Sequence, residues 1–170
     1  MSDLIPAWVD GALQPADKLE VHLKGLRHKA VSIFVNAGGK TLIQRRALGK
    51  YHTPGLWANA CCTHPHWDED PQDCAIRRLR EELNIEGIDV TLKGHVHYRA
   101  DVGGGMVEDE EVDIFIAEVA DVFVVRPNPE EAMDVRWVEM DDLTVQTRER
   151  PGQFTPWLRI SLSEHRAILS

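Results

Sequence analysis

Residues 59–85 read NACCTHPHWDEDPQDCAIRRLREELNI. Asp70 is a good helix N-cap, and Pro71 suits the first helical position, where a missing N–H costs nothing. Ile76, Leu79 and Leu83 then recur at helical spacing, which predicts an amphipathic helix running through Asn84. Arg78, Glu81 and Glu82 lie three and four residues apart and project from an adjoining face. Clustered carboxylates repel one another, and a bound Mg²⁺ relieves that repulsion while bridging to phosphate oxygens. RRLREEL alone reads as a solvated helix surface laced with Arg–Glu pairs. The residues before it shift the reading. Cys62 and His64 sit two apart in a loop flanked by Trp and Pro, and Glu69 precedes Arg77 by eight.

Outward from this helix, strands and helices are interspersed. Leu4 to Val9 reads as a strand ending at Asp10-Gly11, and Lys18 to Lys24 as a helical turn closed by Gly25. Lys29 to Val35 is strand-like and turns through Asn36-Ala37-Gly38-Gly39 into Thr41 to Arg45. Further strands are expected at Val90 to Tyr98, Val112 to Val119 and Val135 to Val138, with a flexible loop at Gly103 to Gly105. Thr155-Pro156 opens a C-terminal helix over roughly Trp157 to Leu169. The class is α/β (α+β), a sandwich of sheet and helices in one domain over residues 1–170.

The bulk numbers narrow the partners. A chain of 170 residues with 43% hydrophobic and 28% charged residues can bury a core of its own. Its net charge of −9 argues against nucleic acid or an anionic membrane, since no surplus of cations replaces phosphate counterions. A small anion can still be held by a local cluster such as Arg45, Arg46, Lys50, Arg77, Arg78 and Arg80. No run approaches the ~20 apolar residues of a membrane span, and the N-terminus MSDLIPAWVDG lacks a signal peptide's basic start and apolar stretch. Three cysteines, two of them adjacent, do not make a disulfide framework and fit a reducing cytoplasm.

Cys74 reads as a buried small hydrophobe, whereas Cys62, near arginines and a metal cluster, reads as an acid–base group held within working range. Spacing does not say whether Cys61 or Cys62 points into a pocket. Glu108 and Glu110 alternate near a strand start, so their carboxylates can face one way. Three imidazoles with two carboxylates would suit Mn²⁺, Mg²⁺ or an irregular Zn²⁺ site. Of eight histidines, His52, His66, His95, His97 and His165 read as structural or surface residues.

Taken together, these residues resemble type I isopentenyl-diphosphate Δ-isomerase, a Nudix-superfamily family that interconverts isopentenyl and dimethylallyl diphosphate in isoprenoid biosynthesis. Residues 63–85 follow the spacing of the Nudix box, with Thr63, Arg78 and Asn84 standing where the box has Gly, Glu and Gly. KLEVH, LRHKAVSIFV, QRRALGK, PGLW, NACCTHP, HYRAD, GMVEDEEVDIF and FTPWL occur in the family's order from about Leu19 to Trp157. The resemblance implies a mixed sheet sandwiched between helices. It implies that Cys62 and Glu110 are the two acid–base groups, with Tyr98 hydrogen-bonded to Glu110 and Trp157 covering the hydrocarbon tail. It implies a divalent metal on His22, His28, His64, Glu108 and Glu110, and Mg²⁺ on Glu82 and the main-chain carbonyl of Cys62. Lys18, Arg46, Lys50 and Arg78 match positions that contact the diphosphate or line its entrance, and the segment around Lys18 to His28 and the C-terminal helix are lid candidates. The expected protein is a monomer or weak homo-oligomer. The enzyme alternative is a Nudix diphosphate hydrolase, which Arg78 disfavours, and the non-enzyme alternative is a diphosphate sensor.

Overall fold

In the computed structural model, which describes residues 3–170, β1 (Leu4–Val9) and β2 (Ala12–Asp17) form an N-terminal hairpin. Helix α1 (Lys18–Lys24) follows, capped by the Asp17 side chain on the Glu20 N–H and closed by Gly25 at φ 63°, which a β-carbon would disfavour. Then come β3 (Arg27–Ala37), β4 (Lys40–Arg46), β5 (Trp57–Asn59), β6 (Cys61–Thr63), α2 (Pro71–Leu83), β7 (Thr91–Gly103) and β8 (Met106–Val119). Strand β9 (Ala132–Glu139), α3 (Met140–Glu149) and α4 (Pro156–Glu164) complete the described residues, and no helix among them is long and apolar enough to cross a membrane.

The strands form one mixed sheet with β3 at its hub. It runs parallel to β8 from Arg27↔Asp109 to Ala37↔Val119 and antiparallel to β6 from Val31↔Thr63 to Ile33↔Cys61. A strand so enclosed is apolar on both faces. Val31, Ile33 and Val35 join Cys74, Ala75, Leu79 and Leu83 of α2 in one core. Ala30 and Phe34 face the other way, against Leu143 of α3 and Trp157, Leu158 and Leu162 of α4. The sheet therefore lies between helices, as expected.

Several boundaries differ from the sequence reading. Cys62 lies on β6 rather than in a loop, because pairing with β3 satisfies its backbone. Gly103 to Gly105 is no flexible loop. Gly104 and Gly105, at φ 64° and 75°, make a tight hairpin turn, so β8 begins at Met106 and Glu108 and Glu110 lie well inside it. Ile76 is 49% exposed, and the buried stripe of α2 runs through Ala75, Leu79 and Leu83 instead. Helix α3 was not anticipated, and α4 ends at Glu164 rather than Leu169.

Candidate active site

Strand register assembles the site. His28, Ala30 and Ser32 share one face of β3, where His28 stands opposite Glu110, Ala30 opposite Val112 and Ser32 opposite Cys62. Paired residues on neighbouring strands point the same way, so Cys62 and Glu110 come to one cavity from opposite sides of β3. Tyr98 of β7 is the cross-strand partner of Glu110. Helix α1 adds Lys18 and His22, one turn apart. The cavity has about 640 Å³ of empty volume, part of it open to solvent. Lys18, Arg46, Lys50, Cys62, His64, Arg78, Glu82, Tyr98, Glu108, Glu110 and Trp157 line it, and His22 and His28 lie buried behind.

The imidazoles and carboxylates form a tight cluster. His22, His28 and His64 have ring centroids 4.7 to 5.0 Å apart. His64 Nε2 is 3.0 Å and His28 Nε2 3.4 Å from Glu110 Oε2, while His22 Nε2 is 3.6 Å from Glu108 Oε1. Tyr98 Oη lies 2.5 Å from Glu108 Oε2 and also against Glu110 Oε1. His22 Nδ1 sits 2.7 Å from the Lys18 carbonyl and His28 Nδ1 2.8 Å from that of Leu26. A carbonyl only accepts, so each Nδ1 carries a proton, and each Nε2 faces the cluster without a hydrogen-bond partner. Two buried carboxylates with three imidazoles turned toward them make a donor set that fits a divalent metal.

Burial alone would raise the Glu110 carboxyl, but His28 and Tyr98 outweigh it and hold it near 2. Burial likewise opposes charge on His28, yet Glu110 lifts it above its ordinary value. His64 is pushed well below its usual range by burial and by the other two histidines.

The two adjacent thiols part company. Cys61 is fully buried and donates to Glu82 Oε2 at 2.8 Å, whereas Cys62 Sγ faces the cavity, 3.2 Å from Ser32 Oγ and 3.1 Å from Asn59 Oδ1. The expectation that arginines and a metal cluster hold Cys62 in a working range is corrected. Burial pushes the thiol far up, Ser32 and Asn59 counter only partly, and Glu110 and Glu108 add to the rise. Cys62 is therefore a protonated S–H at neutral pH. Cys74 is buried, as expected.

At the other end of the cavity the cations crowd. Burial lowers the Lys18 ammonium; Asp3 opposes this, and Lys50 and Arg78 add to it. Arg78 pairs with Glu81 at 2.7 Å and Glu82 at 2.6 Å, and Lys50 pairs with Glu131 at 2.5 Å. The guanidinium of Arg46 stacks 5.2 Å from the Trp157 ring. Glu69 plays a supporting part: it grips Arg77 through two bonds of 2.7 and 2.8 Å and pins the preceding loop to α2.

Sequence reasoning missed several neighbours. Ser32, Asn59, Gln44 and Glu131 touch Cys62, Glu82 or Lys50, with no sequence signal beyond proximity to motifs. His52, read as structural or surface, is 4% exposed with Nε2 2.9 Å from Glu108. His165 lines the cavity too, while the side chains of His66, His95 and His97 are about half exposed at 54%, 53% and 44%.

The NUDIX domain model matches residues 26–158. The chain is 62% identical to "Isopentenyl-diphosphate Delta-isomerase" of Dinoroseobacter shibae over 97% of its length and 94% of that protein's. It is 57% identical to the protein of the same name from Roseobacter denitrificans, over 99% and 96%. The chain belongs to the isopentenyl-diphosphate Delta-isomerase family, built on a NUDIX domain. Solved structures share the fold at low identity. DR0079 from Deinococcus radiodurans superposes with a TM-score of 0.74 at 13% identity, over 94% of this chain and 96% of that one. The Nudix hydrolase RenU of M. smegmatis gives 0.62 at 22%, over 97% and 92%. Within the family fold, the box positions at Glu69 and Arg77 are a structural clamp, and Arg78 neutralises the two glutamates that follow.

Proposed function

We propose that the chain interconverts isopentenyl and dimethylallyl diphosphate by adding a proton at one carbon and removing another two carbons away. One observation carries this reading: the Cys62 thiol and the Glu110 carboxylate face a single cavity from opposite sides of β3. In one direction Cys62 donates its S–H proton to the terminal alkene carbon and Glu110 accepts a proton from the carbon on the far side. The reverse reaction exchanges the two roles. Tyr98 holds Glu110 in place, and Ser32 and Asn59 orient the Cys62 thiol. Protonating an alkene builds positive charge on a tertiary carbon, so water must be excluded and the charge stabilised. Ala30, Val96, Val112 and Ile160 supply apolar walls, and the Trp157 indole a π face.

Lys18, Arg46, Lys50 and Arg78 hold the diphosphate. Glu82 holds Mg²⁺, and His22, His28, His64, Glu108 and Glu110 hold a second divalent ion, Mn²⁺, Zn²⁺ or Mg²⁺. When bound, these ions neutralise the diphosphate and the buried carboxylates. The diphosphate hydrolase alternative needs a free box glutamate to activate water. The first glutamate of the box's glutamate cluster stands at position 78, which is an arginine here. The reading places the chain, as a monomer or weak homo-oligomer, in a reducing cytoplasm, supported by three unpaired cysteines.

Incubation with isopentenyl diphosphate and Mg²⁺ in D₂O, followed by NMR, is expected to give dimethylallyl diphosphate carrying deuterium. Cys62→Ala and Glu110→Gln are each expected to lower turnover by at least about 10³-fold without unfolding the protein. Near-wild-type rates in either would sink the two-group mechanism, and phosphate release without isomer would favour a hydrolase.

A further inference from the structure

Gln44 stands on a face of β4 that a core would fill with an aliphatic chain. Leu42, two residues earlier on the same face, packs with Cys61, Leu79 and Leu83 beneath α2. A buried amide at such a place costs stability unless its polar atoms are bonded. Its Nε2 spends both N–H groups, one on the Ala60 carbonyl at 2.6 Å and one on Glu82 Oε2 at 3.0 Å. Both partners only accept, so the donor end of the amide is fixed. The same Glu82 oxygen accepts from the Cys61 thiol at 2.8 Å. Burial and the neighbouring Glu82 push that thiol well above its ordinary value, so it keeps the proton it donates.

Glu82 lines the cavity, whereas neither Gln44 nor Cys61 does. Oε2 is thus engaged from the core side by two donors, and Oε1 meets Arg78, a cavity residue, at 2.6 Å. Gln44 also ties down the Ala60 carbonyl, just ahead of the β6 backbone that carries the Cys62 carbonyl. We propose that Gln44 and Cys61 are positioning residues of the diphosphate site: they hold Glu82 Oε2 from behind, so that Oε1 is the oxygen presented to Mg²⁺. The inference rests on the reading that Glu82 holds Mg²⁺ beside the diphosphate. It gives each of the adjacent thiols a part, Cys62 within the cavity and Cys61 behind its wall. Because Arg78 already meets Oε1, Mg²⁺ is expected to bind together with the negative charge of a diphosphate.

The test is a calorimetric titration of the full-length protein with inorganic diphosphate, at a series of Mg²⁺ concentrations and with none. Gln44→Leu fills the space and removes both donors. Cys61→Val removes the thiol proton, Cys61→Ser restores a donor, and Glu82→Gln is the control for the site itself. Loss of an outer hydrogen bond to a ligand is expected to weaken Mg²⁺-dependent binding by about 10–100-fold in Gln44→Leu and in Cys61→Val. Cys61→Ser is expected to recover most of that loss, and binding without Mg²⁺ is expected to be unchanged in all three. Unchanged Mg²⁺ dependence in either Gln44→Leu or Cys61→Val, with Glu82→Gln losing it, overturns the inference alone. Equal losses with and without Mg²⁺ overturn it in favour of a structural role in the core. Undiminished Mg²⁺ dependence in Glu82→Gln overturns the underlying site and the inference with it. None of these readouts needs turnover, so failure of the isomerase reading shows separately, as no dimethylallyl diphosphate in the D₂O incubation. Circular dichroism identifies a variant that fails to fold, and if Gln44→Leu does, the Cys61 pair decides the question.

Discussion

Cys61 and Cys62 are neighbours of the same chemical type, and the pleat of β6 sends them to opposite faces of the sheet. Cys61 enters the core under α2 and hydrogen-bonds Glu82, whereas Cys62 enters the cavity beside Ser32 and Asn59. One residue's displacement in register would exchange them. Sequence spacing could not choose between them, since the choice depends on which face of β3 is turned to the cavity. Tyr98 works at the same scale. Its hydroxyl lies between the Glu108 and Glu110 carboxylates, which repel each other in the buried cluster. Tyr98→Phe removes that proton, and kcat/KM is expected to fall about 10–100-fold while thermal stability changes little. An unchanged steady-state rate would show that the hydroxyl has no part in holding Glu110. The hydrogen bond from Tyr98 to Glu110 was legible from family resemblance, but its contact with Glu108 was not.

Helix α2 was the most legible element, because its cap, proline and apolar period all agree. Asp70 Oδ1 accepts from the Gln72 N–H at 2.8 Å and the Asp73 N–H at 3.3 Å. Asp70→Ala is expected to cost about 1 kcal/mol in denaturant unfolding. Leu79 is 2% exposed against β3, and Leu79→Ala should cost about 2–5 kcal/mol, with the larger losses if the cavity stays open. The clamp at the start of the helix makes stability depend on pH. Hydrogen bonds from Arg77, working against partial burial, hold the Glu69 carboxyl at about 2, against an ordinary 4.5. Its stabilisation is complete above pH 4.5 and is lost as pH falls through the interval down to 2. Urea titrations from pH 6 to 2 on the parent and on Glu69→Gln check this: the variant's stability should fall less steeply below pH 4.5. Parallel curves would remove Glu69 from the acid response. Helix α3 escaped notice for the converse reason. MDDLTVQTRE carries a Glu139 N-cap without a side-chain bond, and β-branched and polar residues keep its period faint. Leu143, Met140 and Thr147 become buried only because the sheet offers a surface for them.

Over the whole molecule, a chain of net charge −9 concentrates Lys18, Arg46, Lys50 and Arg78 around one cavity. Glu131 offsets part of that charge through Lys50 at 2.5 Å and Arg78 at 3.4 Å. Glu131→Gln is expected to tighten binding of inorganic diphosphate about threefold, near 0.7 kcal/mol, with the gain shrinking as salt rises. Calorimetry at two ionic strengths measures it, and weaker binding in the variant would instead make Glu131 part of the anion site. The sequence by itself determined that sheet and helices alternate, where α1 and α2 begin and end, and, through motif order, the family and the lysines, arginines and glutamates that line the cavity. Those signals are local, because caps, turn glycines and periodicity act within a few residues of chain. Only the tertiary structure decided which cysteine faces the cavity, that the Cys62 thiol stays protonated, and that His52 belongs to the cluster. These depend on burial and on strand pairing between segments as distant as residues 28 and 110. Desolvation and register are properties of the assembled sheet, and no stretch of chain carries them alone.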